Sequence, residues 1–366
     1  MTHPPSPSAA PAAPASAIEW ADPQREAAFG AWLAGVAAGH GLQAATLRPA
    51  SADASFRRYF RVDTASGASA IVMDAPPDKE DSQPFVQVAG LLAEAGLRVP
   101  RILAWDQAQG FLLLDDLGRR TLLEVLDPTD AQAALPLYRR AVEALVAWQK
   151  ASRPGLLPEY GDALLRRELQ LFPDWYLAQH RGVVPEGEDA ATLATAFDAI
   201  VKRNLAAPQV YVHRDFMPRN LMVNDAAPSG PLGVLDFQDA VYGPITYDIA
   251  SLMRDAFLSW DEEFVLDVTV RYWEAARKAG LPVGEDFGEF YRGVEWMGLQ
   301  RHLKVAGIFA RLTLRDGKPK YLADTPRFIQ YIRSAAARYR ELGPLLRLVD
   351  KIEGTQAATG FAFGRV

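Results

Sequence analysis

One stretch of this chain decides its fold: residues 212–223 read Val-His-Arg-Asp-Phe-Met-Pro-Arg-Asn-Leu-Met-Val. Asp215 is followed five positions later by Asn220, and a second carboxylate, Asp236, comes sixteen residues after Asn220. A short apolar run precedes this segment and another lies at 233–235, so two brief strands are predicted around a polar loop. Such a loop is expected to bring three oxygen-bearing side chains to one side of the molecule.

These three groups have a chemical logic. Mg²⁺ prefers oxygen ligands and usually takes several from phosphates and water, so Asn220 and Asp236 form a candidate magnesium site. Asp215 then remains free to accept a proton from an attacking hydroxyl. That arrangement is suited to moving a phosphoryl group from a nucleotide to an alcohol. A metal-dependent phosphohydrolase that uses Asp215 and Asp236 is a further interpretation of the same residues.

The composition excludes several other classes. At about 150 residues a domain, a chain of 366 residues predicts two or three domains. Its 39 Lys and Arg against 45 Asp and Glu leave a net charge of −6, so neither nucleic acid nor a membrane surface is an expected partner. The absence of cysteine excludes disulfides, thiolate nucleophiles and Cys-based metal sites. With no long apolar run and no secretory pattern at the start, a cytoplasmic location is expected. The protein is also predicted to be a monomer.

Periodicity divides the chain into four ranges. Residues 1–17 are rich in Pro, Ala and Ser and are predicted to form a disordered tail. Residues 18–116 mix helical spacing with short β-rich runs and are predicted to form an N-terminal nucleotide-binding lobe. Residues 117–350 carry apolar residues at helical spacing and form the predicted catalytic and substrate lobe. Residues 351–366 are predicted to be a loose C-terminal tail.

Residues 213–220 resemble the H-x-D-x-x-x-x-N catalytic loop of the protein-kinase-like superfamily, and 236–237 resembles its metal-binding D-F. The strings at 112–118 and 243–250 are similar to the aminoglycoside phosphotransferase and choline kinase branch. The resemblance implies a bilobal α+β fold. Its small N-terminal lobe would hold a five-stranded antiparallel sheet and one helix, and its large C-terminal lobe would be mostly helical.

The resemblance also implies a role for individual residues. Asp215 is implied to be the general base, Asn220 and Asp236 to hold Mg²⁺, and His213 to support the loop. ATP is the implied phosphoryl donor. Its adenine is expected at three residues between the lobes: Leu114, Asp115 and Leu117.

Three strings are similar to a narrower group, at 53–61, 72–77 and 301–312. They resemble the bacterial anomeric amino-sugar kinases of cell-wall recycling. These enzymes phosphorylate N-acetylmuramate and N-acetylglucosamine at C1. The resemblance therefore implies an amino sugar and a nucleotide as the partners of this chain.

The sequence departs from the superfamily pattern around the phosphates. The turn at 50–55 has no glycine, and Met73 stands where the phosphate-pairing lysine is expected. Another cation must neutralise the phosphates, and a guanidinium is suited to bidentate phosphate contact. The predicted phosphate ligands are in the turn and at the start of the next strand: Ser55, Arg57 and Arg58. Phe60 and Val62 share a strand face with Arg58 and are predicted to cover the adenine.

Basic residues elsewhere offer further contacts. Met217 stands where relatives often carry a cation near the transferring group, and Arg219 is expected to compensate. Arg301, Lys304 and Arg311 fall within about one face of a predicted helix. This basic stripe is either a binding surface for an anionic acceptor, such as the lactyl carboxylate of N-acetylmuramate, or a solvated face.

Two alternatives stay open. The first is the same chemistry on another alcohol, such as an aminoglycoside, choline or homoserine. Choline and aminoglycosides are cations that call for acidic or aromatic pockets, and the basic stripe argues against both. The second is a catalytically silent nucleotide-binding module, for which the missing lysine and glycines argue. The presence of Asp215, Asn220 and Asp236 favours an active enzyme.

Overall fold

The computed structural model describes residues 18–52 and 56–355, with the backbone alone at 51 and 52. Ser55, the predicted tail 1–17 and residues 356–366 lie outside the described residues. The chain forms two compact units, Met1–Val86 with Pro100–Asp116 and Gln87–Val99 with Leu117–Val366. The segment 87–99, which the sequence boundaries assign to the N-terminal lobe, groups with the second unit.

The first unit is built on a five-stranded antiparallel sheet. Its strand order is β1-β2-β3-β5-β4. The strands are β1 Leu42–Ala52, β2 Arg58–Thr64, β3 Ser69–Asp74, β4 Ile102–Asp106 and β5 Phe111–Asp115. This sheet confirms the predicted α+β architecture of the N-terminal part.

Helix α1, Pro23–His40, packs on one face of this sheet. Asp22 caps the helix by accepting a hydrogen bond from the Gln24 N–H at 2.8 Å, which satisfies one of the unpaired N–H groups of its first turn. Phe29 of the helix is buried against Phe60 and Val62 of β2. The prediction that Phe60 and Val62 cover an adenine is therefore wrong, because that strand face forms the core beneath α1.

The second unit is mostly helical. Helix α2, Gln83–Glu94, contributes its residues from Gln87 onward. The remaining helices are α3 Leu122–Val125, α4 Ala131–Lys150, α5 Asp162–Leu169, α6 Gly187–Leu205, α7 Tyr247–Met253, α8 Glu262–Lys278, α9 Phe287–Leu314, α10 Thr325–Arg338 and α11 Gly343–Glu353. No helix in the described ranges has both the length and the apolar character needed to cross a membrane.

Two helical predictions need correction. The helical spacing predicted within 117–350 is interrupted after α5: this helix ends at Leu169, and Phe172–His180 is π-helical. Helix α11 runs to Glu353, so the predicted tail boundary at residue 350 is wrong. Residues Leu345, Leu348 and Val349 are buried and lie on one apolar face of α11, which holds the helix against the unit.

The long helix α9 crosses the π-helical segment at close range. A Cβ on Gly307 would lie 2.3 Å from the carbonyl oxygen of Leu171, so only glycine allows this approach. The crossing fixes α9 and α5 within one packed layer. As a result, Gln300 and Lys304 of α9 reach the buried Glu168 of α5.

Two small antiparallel ladders interrupt the helices of the second unit. Strand β6, Gln209–Val212, pairs with β9, Val241–Pro244, while β7, Leu221–Met222, pairs with β8, Gly233–Val234. The sequence predicted strands at 210–212 and 233–235 but not β9. Because β6 and β9 lie side by side, the polar segments between them are brought back to one place.

Candidate active site

The two ladders place Asp215, Asn220 and Asp236 together. Asn220 ends a 3-10 turn, Pro218–Asn220, immediately before β7, and Asp236 follows β8. The Leu235 N–H donates to the Asn220 carbonyl oxygen at 2.9 Å, which ties the two segments beside the polar side chains. The sequence spacing therefore predicted the juxtaposition of these groups.

The Asn220 amide connects the three residues directly. Its Nδ2 donates to the Asp215 backbone oxygen at 2.8 Å and to Asp236 Oδ2 at 3.2 Å. Gln238 Nε2 donates to the other oxygen, Asp236 Oδ1, at 2.9 Å. These bonds fix the orientation of the Asp236 carboxylate and the conformation of the loop that begins at Asp215.

This donor set fits a magnesium ion. With its Nδ2 committed to two acceptors, Asn220 presents its carbonyl oxygen, Oδ1, as a neutral ligand beside the Asp236 carboxylate. The described residues hold no group of three or more His, Cys, Asp or Glu arranged for a metal. A site of one carboxylate and one amide suits a cation that takes its other ligands from phosphates and water.

Two residues of the site have left-handed backbone conformations. Arg214 has φ 75° and Asp236 has φ 61°, and they are the two non-glycine residues with positive φ within the described ranges. For such residues this conformation costs about 1–3 kcal/mol and persists where surrounding contacts hold it. One strained residue, Arg214, directly precedes Asp215, and the other is Asp236 itself. The strain therefore lies at both carboxylates predicted to take part in the chemistry.

Asp248, in the first turn of α7, holds the loop from below. Its Oδ2 accepts the His213 N–H at 2.7 Å and its Oδ1 accepts the Arg214 N–H at 3.0 Å. The carboxyl group is fully buried, and burial raises the pKa of Asp248 to about 7. Two backbone donors that would otherwise be unpaired are thus satisfied immediately before Asp215.

The side chain of Arg214 is anchored by Glu168. Glu168 accepts from Arg214 Nη2 at 2.6 Å and pairs with Lys304 Nζ at 2.9 Å. Gln300 Nε2 donates to the same carboxylate at 3.1 Å, and the Tyr160 hydroxyl donates to it as well. Burial by itself raises the pKa of Glu168, but Lys304 and Arg214 outweigh it and lower that pKa to about 2. The carboxylate is therefore charged and holds Arg214 beside the base.

Glu168 was not predicted, although the sequence carries a signal for it. In α5 the buried residues are Leu165, Glu168 and Leu169. A charged residue at an apolar position of an amphipathic helix needs a buried partner. The partners, Arg214 and Lys304, are far away in sequence, and only the tertiary fold brings them to it.

His213 supports the loop as a neutral ring. Its Nδ1 accepts a hydrogen bond from the Asp215 N–H at 3.3 Å, and its ring packs edge-on against Phe216. The side chain is buried, and burial lowers the pKa of His213 to about 4. A neutral imidazole at neutral pH braces the backbone of Asp215 and carries no charge into the site.

The predicted basic stripe divides into residues with different surroundings. Arg301 is buried, with its guanidinium carbon 5.1 Å from the centre of the Tyr247 ring. Lys304 is neutralised by Glu168 and also donates to the Tyr247 hydroxyl at 3.2 Å. Arg311 is partly exposed, further along α9. The stripe is therefore not a solvated face, because two of its three cations lie inside the unit.

Arg219 has a different environment from these cations. It is exposed, and its guanidinium carbon lies 4.8 Å from the centre of the Phe257 ring. Phe257 belongs to the connection between α7 and α8. Arg219 therefore sits on the surface of the loop that carries Asp215, supported by an aromatic face.

The predicted nucleotide ligands lie in both units. In the first unit, Leu114 is buried in β5, and the Asp115 carboxylate accepts from the Arg101 N–H at 2.5 Å and from Arg101 Nε at 2.9 Å. The Asp115 N–H donates to the Arg101 carbonyl oxygen at 3.0 Å. In the second unit, the Leu117 carbonyl oxygen accepts from Arg98 Nη2 at 2.8 Å. Two of the backbone groups predicted for adenine contact thus have protein partners.

Arg57 and Arg58 differ in their surroundings. Arg57 Nε is 3.9 Å from a Glu80 carboxylate oxygen. Arg58 Nη2 lies 2.5 Å from the fully buried Asp74, and its guanidinium carbon is 3.8 Å from the centre of the Trp20 ring. Arg58 points to the face of the sheet that packs under α1, so a contact with phosphates requires it to leave a buried carboxylate.

A five-stranded antiparallel unit, followed by a helical unit whose loop carries an Asp–Asn–Asp cluster, defines a kinase-like phosphotransferase. Residues 46–286 match the phosphotransferase enzyme family, APH. The chain belongs to this family. It is an enzyme that transfers a phosphoryl group to an alcohol.

Individual proteins agree with this assignment. The chain is 52% identical over 314 residues to an N-acetylmuramate/N-acetylglucosamine kinase of Pseudomonas aeruginosa, covering 86% of this chain and 90% of that protein. It is 49% identical over 316 residues to the enzyme of the same name from Neisseria meningitidis, covering 86% and 93%. Among solved structures, the amicoumacin kinase hAmiN, in complex with AMP-PNP, Ca²⁺ and Ami, has a TM-score of 0.57 at 15% identity. The match covers 83% of this chain and 92% of that one. The kinase-like fold predicted from the sequence is confirmed.

Proposed function

We propose that this chain is an ATP- and Mg²⁺-dependent sugar kinase that phosphorylates the anomeric (C1) hydroxyl of N-acetylmuramate and N-acetylglucosamine. The two relatives at 52% and 49% identity carry the name of that activity, and their similarity spans most of the chain. The observation that carries the proposal is the hydrogen-bonded arrangement of Asp215, Asn220 and Asp236.

Asp215 is the general base of the proposed reaction. Its backbone oxygen is held by Asn220, its N–H by His213, and the preceding peptide N–H groups by Asp248. The carboxylate accepts the proton of the C1 hydroxyl while the C1 oxygen forms a bond to the γ-phosphorus of ATP. The bond from that phosphorus to the β–γ bridging oxygen breaks, and ADP leaves.

The proposed rate enhancement comes chiefly from placement. An anomeric hydroxyl is more acidic than other sugar hydroxyls, so the base needs correct position more than high basicity. Holding the acceptor and the carboxylate in reactive geometry lowers the barrier by converting an encounter into an intramolecular step. The many backbone contacts on either side of Asp215 serve this purpose.

Asn220 and Asp236 are the residues that hold Mg²⁺ in this proposal, through Asn220 Oδ1 and the Asp236 carboxylate. Bound Mg²⁺ neutralises phosphate charge during phosphoryl transfer. Gln238 keeps the Asp236 carboxylate oriented by donating to Oδ1 at 2.9 Å.

ATP is the phosphoryl donor, and a protein of similar fold was solved with AMP-PNP. Leu114, Asp115 and Leu117 remain the predicted residues around the adenine. Of the two arginines predicted for the phosphates, Arg57 is favoured over Arg58, because Arg58 is paired with the buried Asp74. Ser55 stays a predicted phosphate contact.

The acceptor side of the proposal keeps Arg311 as a predicted substrate contact. The partners of Arg301 and Lys304 favour a supporting role for both, close to Tyr247 and Glu168. Because the donor is ATP, we assign the reaction to the cytoplasm. We further propose that the enzyme acts as a monomer and binds neither nucleic acid nor a membrane.

The test is formation of ADP on a panel of acceptors with ATP and Mg²⁺. Wild-type protein is expected to turn over both amino sugars, and Asp215→Asn to lose about 100- to 10,000-fold in kcat. The matched control is Asp239→Asn, an exposed carboxylate near the same site, which is expected to retain wild-type activity.

Other results contradict the proposal in distinct ways. Turnover with only choline, homoserine or an aminoglycoside would assign another acceptor to the enzyme. Phosphate release without any acceptor would indicate a phosphohydrolase. Nucleotide binding with no turnover on the whole panel would support the silent module.

A further inference from the structure

The catalytic loop exposes very little of itself. Within residues 212–223, all of which the structure describes, Arg219 is the exposed residue, and Arg214 and Asp215 are partly exposed. Arg214 is committed to Glu168 through a 2.6 Å ion pair. An acceptor that approaches Asp215 from solvent therefore meets one further charged group on this loop, the guanidinium of Arg219.

Arg219 rests on an aromatic ring and has no counter-ion among the residues that the structure describes. Its guanidinium stacks on Phe257 at 4.8 Å, and Phe257 lies 6.0 Å from Phe309 of α9, centre to centre. No carboxylate in the described part of the chain lies within ion-pair distance of Arg219. Lys304, by contrast, is paired with Glu168, and Arg301 is buried against the Tyr247 ring. Arg219 is thus a pre-oriented cation whose hydrogen-bond donors face solvent.

N-acetylmuramate, one of the two proposed acceptors, carries a negative charge, and its binding calls for a cation near the site. N-acetylmuramate is N-acetylglucosamine with a lactyl ether on C3, two ring carbons from the reacting C1. When the C1 hydroxyl contacts Asp215, the lactyl carboxylate lies close to Asp215, Asp236 and the phosphates of ATP. Like charges at such distances oppose binding unless a cation compensates them.

We propose that Arg219 is the specificity-determining residue for anionic sugar acceptors and binds the lactyl carboxylate of N-acetylmuramate. The proposal rests on the proposed function and deepens it. A guanidinium presents a planar pair of donors that matches a carboxylate, and stacking on Phe257 limits the side-chain freedom that binding must remove. N-acetylglucosamine has no carboxylate and does not use this contact.

The experiment compares Arg219→Gln with wild type on both sugars, with ATP and Mg²⁺ saturating. For N-acetylmuramate, kcat/KM is expected to fall by about 10- to 100-fold, mainly through KM, as for loss of a hydrogen bond to a charged group. For N-acetylglucosamine, kcat/KM is expected to change by less than about twofold. In a separate ATP titration at saturating sugar, KM for ATP is expected to stay at its wild-type value. Arg219→Lys is expected to lose less activity on N-acetylmuramate than Arg219→Gln, because lysine keeps the positive charge but lacks the planar pair of donors of a guanidinium.

A neutral substrate provides an independent measurement. The amide of N-acetylmuramate, in which the lactyl carboxylate is replaced by an uncharged group, is expected to be a weaker acceptor than N-acetylmuramate for wild type and to change by less than about twofold with Arg219→Gln. The matched control is Arg277→Gln, an exposed arginine that stacks on Trp273 at 4.7 Å in α8. It is expected to leave the kinetics on all three acceptors unchanged.

Several results overturn the inference. Equal losses on both sugars would make Arg219 part of a step common to them, and a raised KM for ATP would make it a phosphate ligand. An unchanged preference between the sugars would remove it from acceptor recognition. Failure of wild type to turn over either sugar refutes the proposed function itself and this inference with it. That outcome is distinct from an active wild type with an insensitive Arg219→Gln.

Discussion

Replacing Glu168 by glutamine removes a single charge from the interior of the second unit. The carboxylate lies 2.6 Å from Arg214 and 2.9 Å from Lys304, and the side chain is buried. Glutamine has nearly the same volume and keeps an oxygen that accepts hydrogen bonds. The substitution therefore leaves two cations facing a neutral group, and it replaces one of the two accepting oxygens by an NH2 donor.

The size of the effect follows from the charge environment. Burial opposes the charge of Glu168, yet Lys304 and Arg214 lower its pKa from 4.5 to about 2. That difference corresponds to about 3 kcal/mol at about 1.4 kcal/mol for each tenfold change. Because the folded-state pKa is depressed, this contribution is complete above pH 4.5 and is lost as the pH falls toward about 2. Removing one member of a buried ion pair costs about 3–5 kcal/mol, in agreement.

The assay is urea-induced unfolding at pH 7, followed by a signal from the second unit. We expect Glu168→Gln to lower the free energy of unfolding by about 3 kcal/mol. The matched control is Glu94→Gln, which removes an exposed pair with Arg153 whose side chains are 66% and 57% exposed. That pair is expected to contribute less than about 1 kcal/mol.

The same variant is expected to act on catalysis. Arg214 immediately precedes Asp215 and has φ 75°, so loss of its anchor lets the base move. A displacement of about 1 Å is enough to lower a rate by about 100-fold, and we expect the loss in kcat rather than in KM for ATP. A Glu168→Gln protein as stable as Glu94→Gln, with a normal kcat, would show that the Glu168 charge neither stabilises the second unit nor positions Asp215.

Three further variants test other contacts. Asp236→Ala is expected to lower kcat by about 100-fold or more and to weaken Mg²⁺–ATP binding in calorimetry, and wild-type affinity and rate would remove it from the metal site. Asp248→Ala leaves two buried backbone donors unpaired, so the free energy of unfolding should fall by about 2–6 kcal/mol. Asp248→Asn still accepts a hydrogen bond and should lose less stability. Equal losses of stability in the two variants would contradict this role. Arg58→Ala should lower stability by about 1–3 kcal/mol because Asp74 loses a partner, with KM for ATP unchanged in steady-state kinetics. A strongly raised KM would instead support a phosphate contact for Arg58.

Local signals were enough to predict the centre of the site. The spacing of Asp215, Asn220 and Asp236 implied one loop and the end of the next strand, and hydrogen bonds from Asn220 join the three in the structure. Short strands with polar ends fix where side chains can go, so a spacing rule is informative there. Asp248 lies in the first turn of α7, directly after β9, and its carboxylate accepts hydrogen bonds from the backbone of the same loop.

The predicted ligand contacts of β2 depended on long-range packing that the sequence does not reveal. Strand alternation correctly places Arg58, Phe60 and Val62 on one face, but it does not say which face meets a helix. Helix α1 covers that face, so Phe60 and Val62 became core and Arg58 pairs with Asp74. Glu168 was missed for a related reason, since its partners belong to distant elements.

Two-dimensional ³¹P–¹H NMR of the product formed from N-acetylmuramate, ATP and Mg²⁺ identifies the phosphorylated carbon directly. We expect a phosphate coupled to the anomeric proton in the wild-type product, and formation of that product at least about 100-fold more slowly with Asp215→Asn. A phosphate coupled to the C4 or C6 protons would contradict the anomeric assignment. An undiminished yield from Asp215→Asn would contradict the role of that residue as the base.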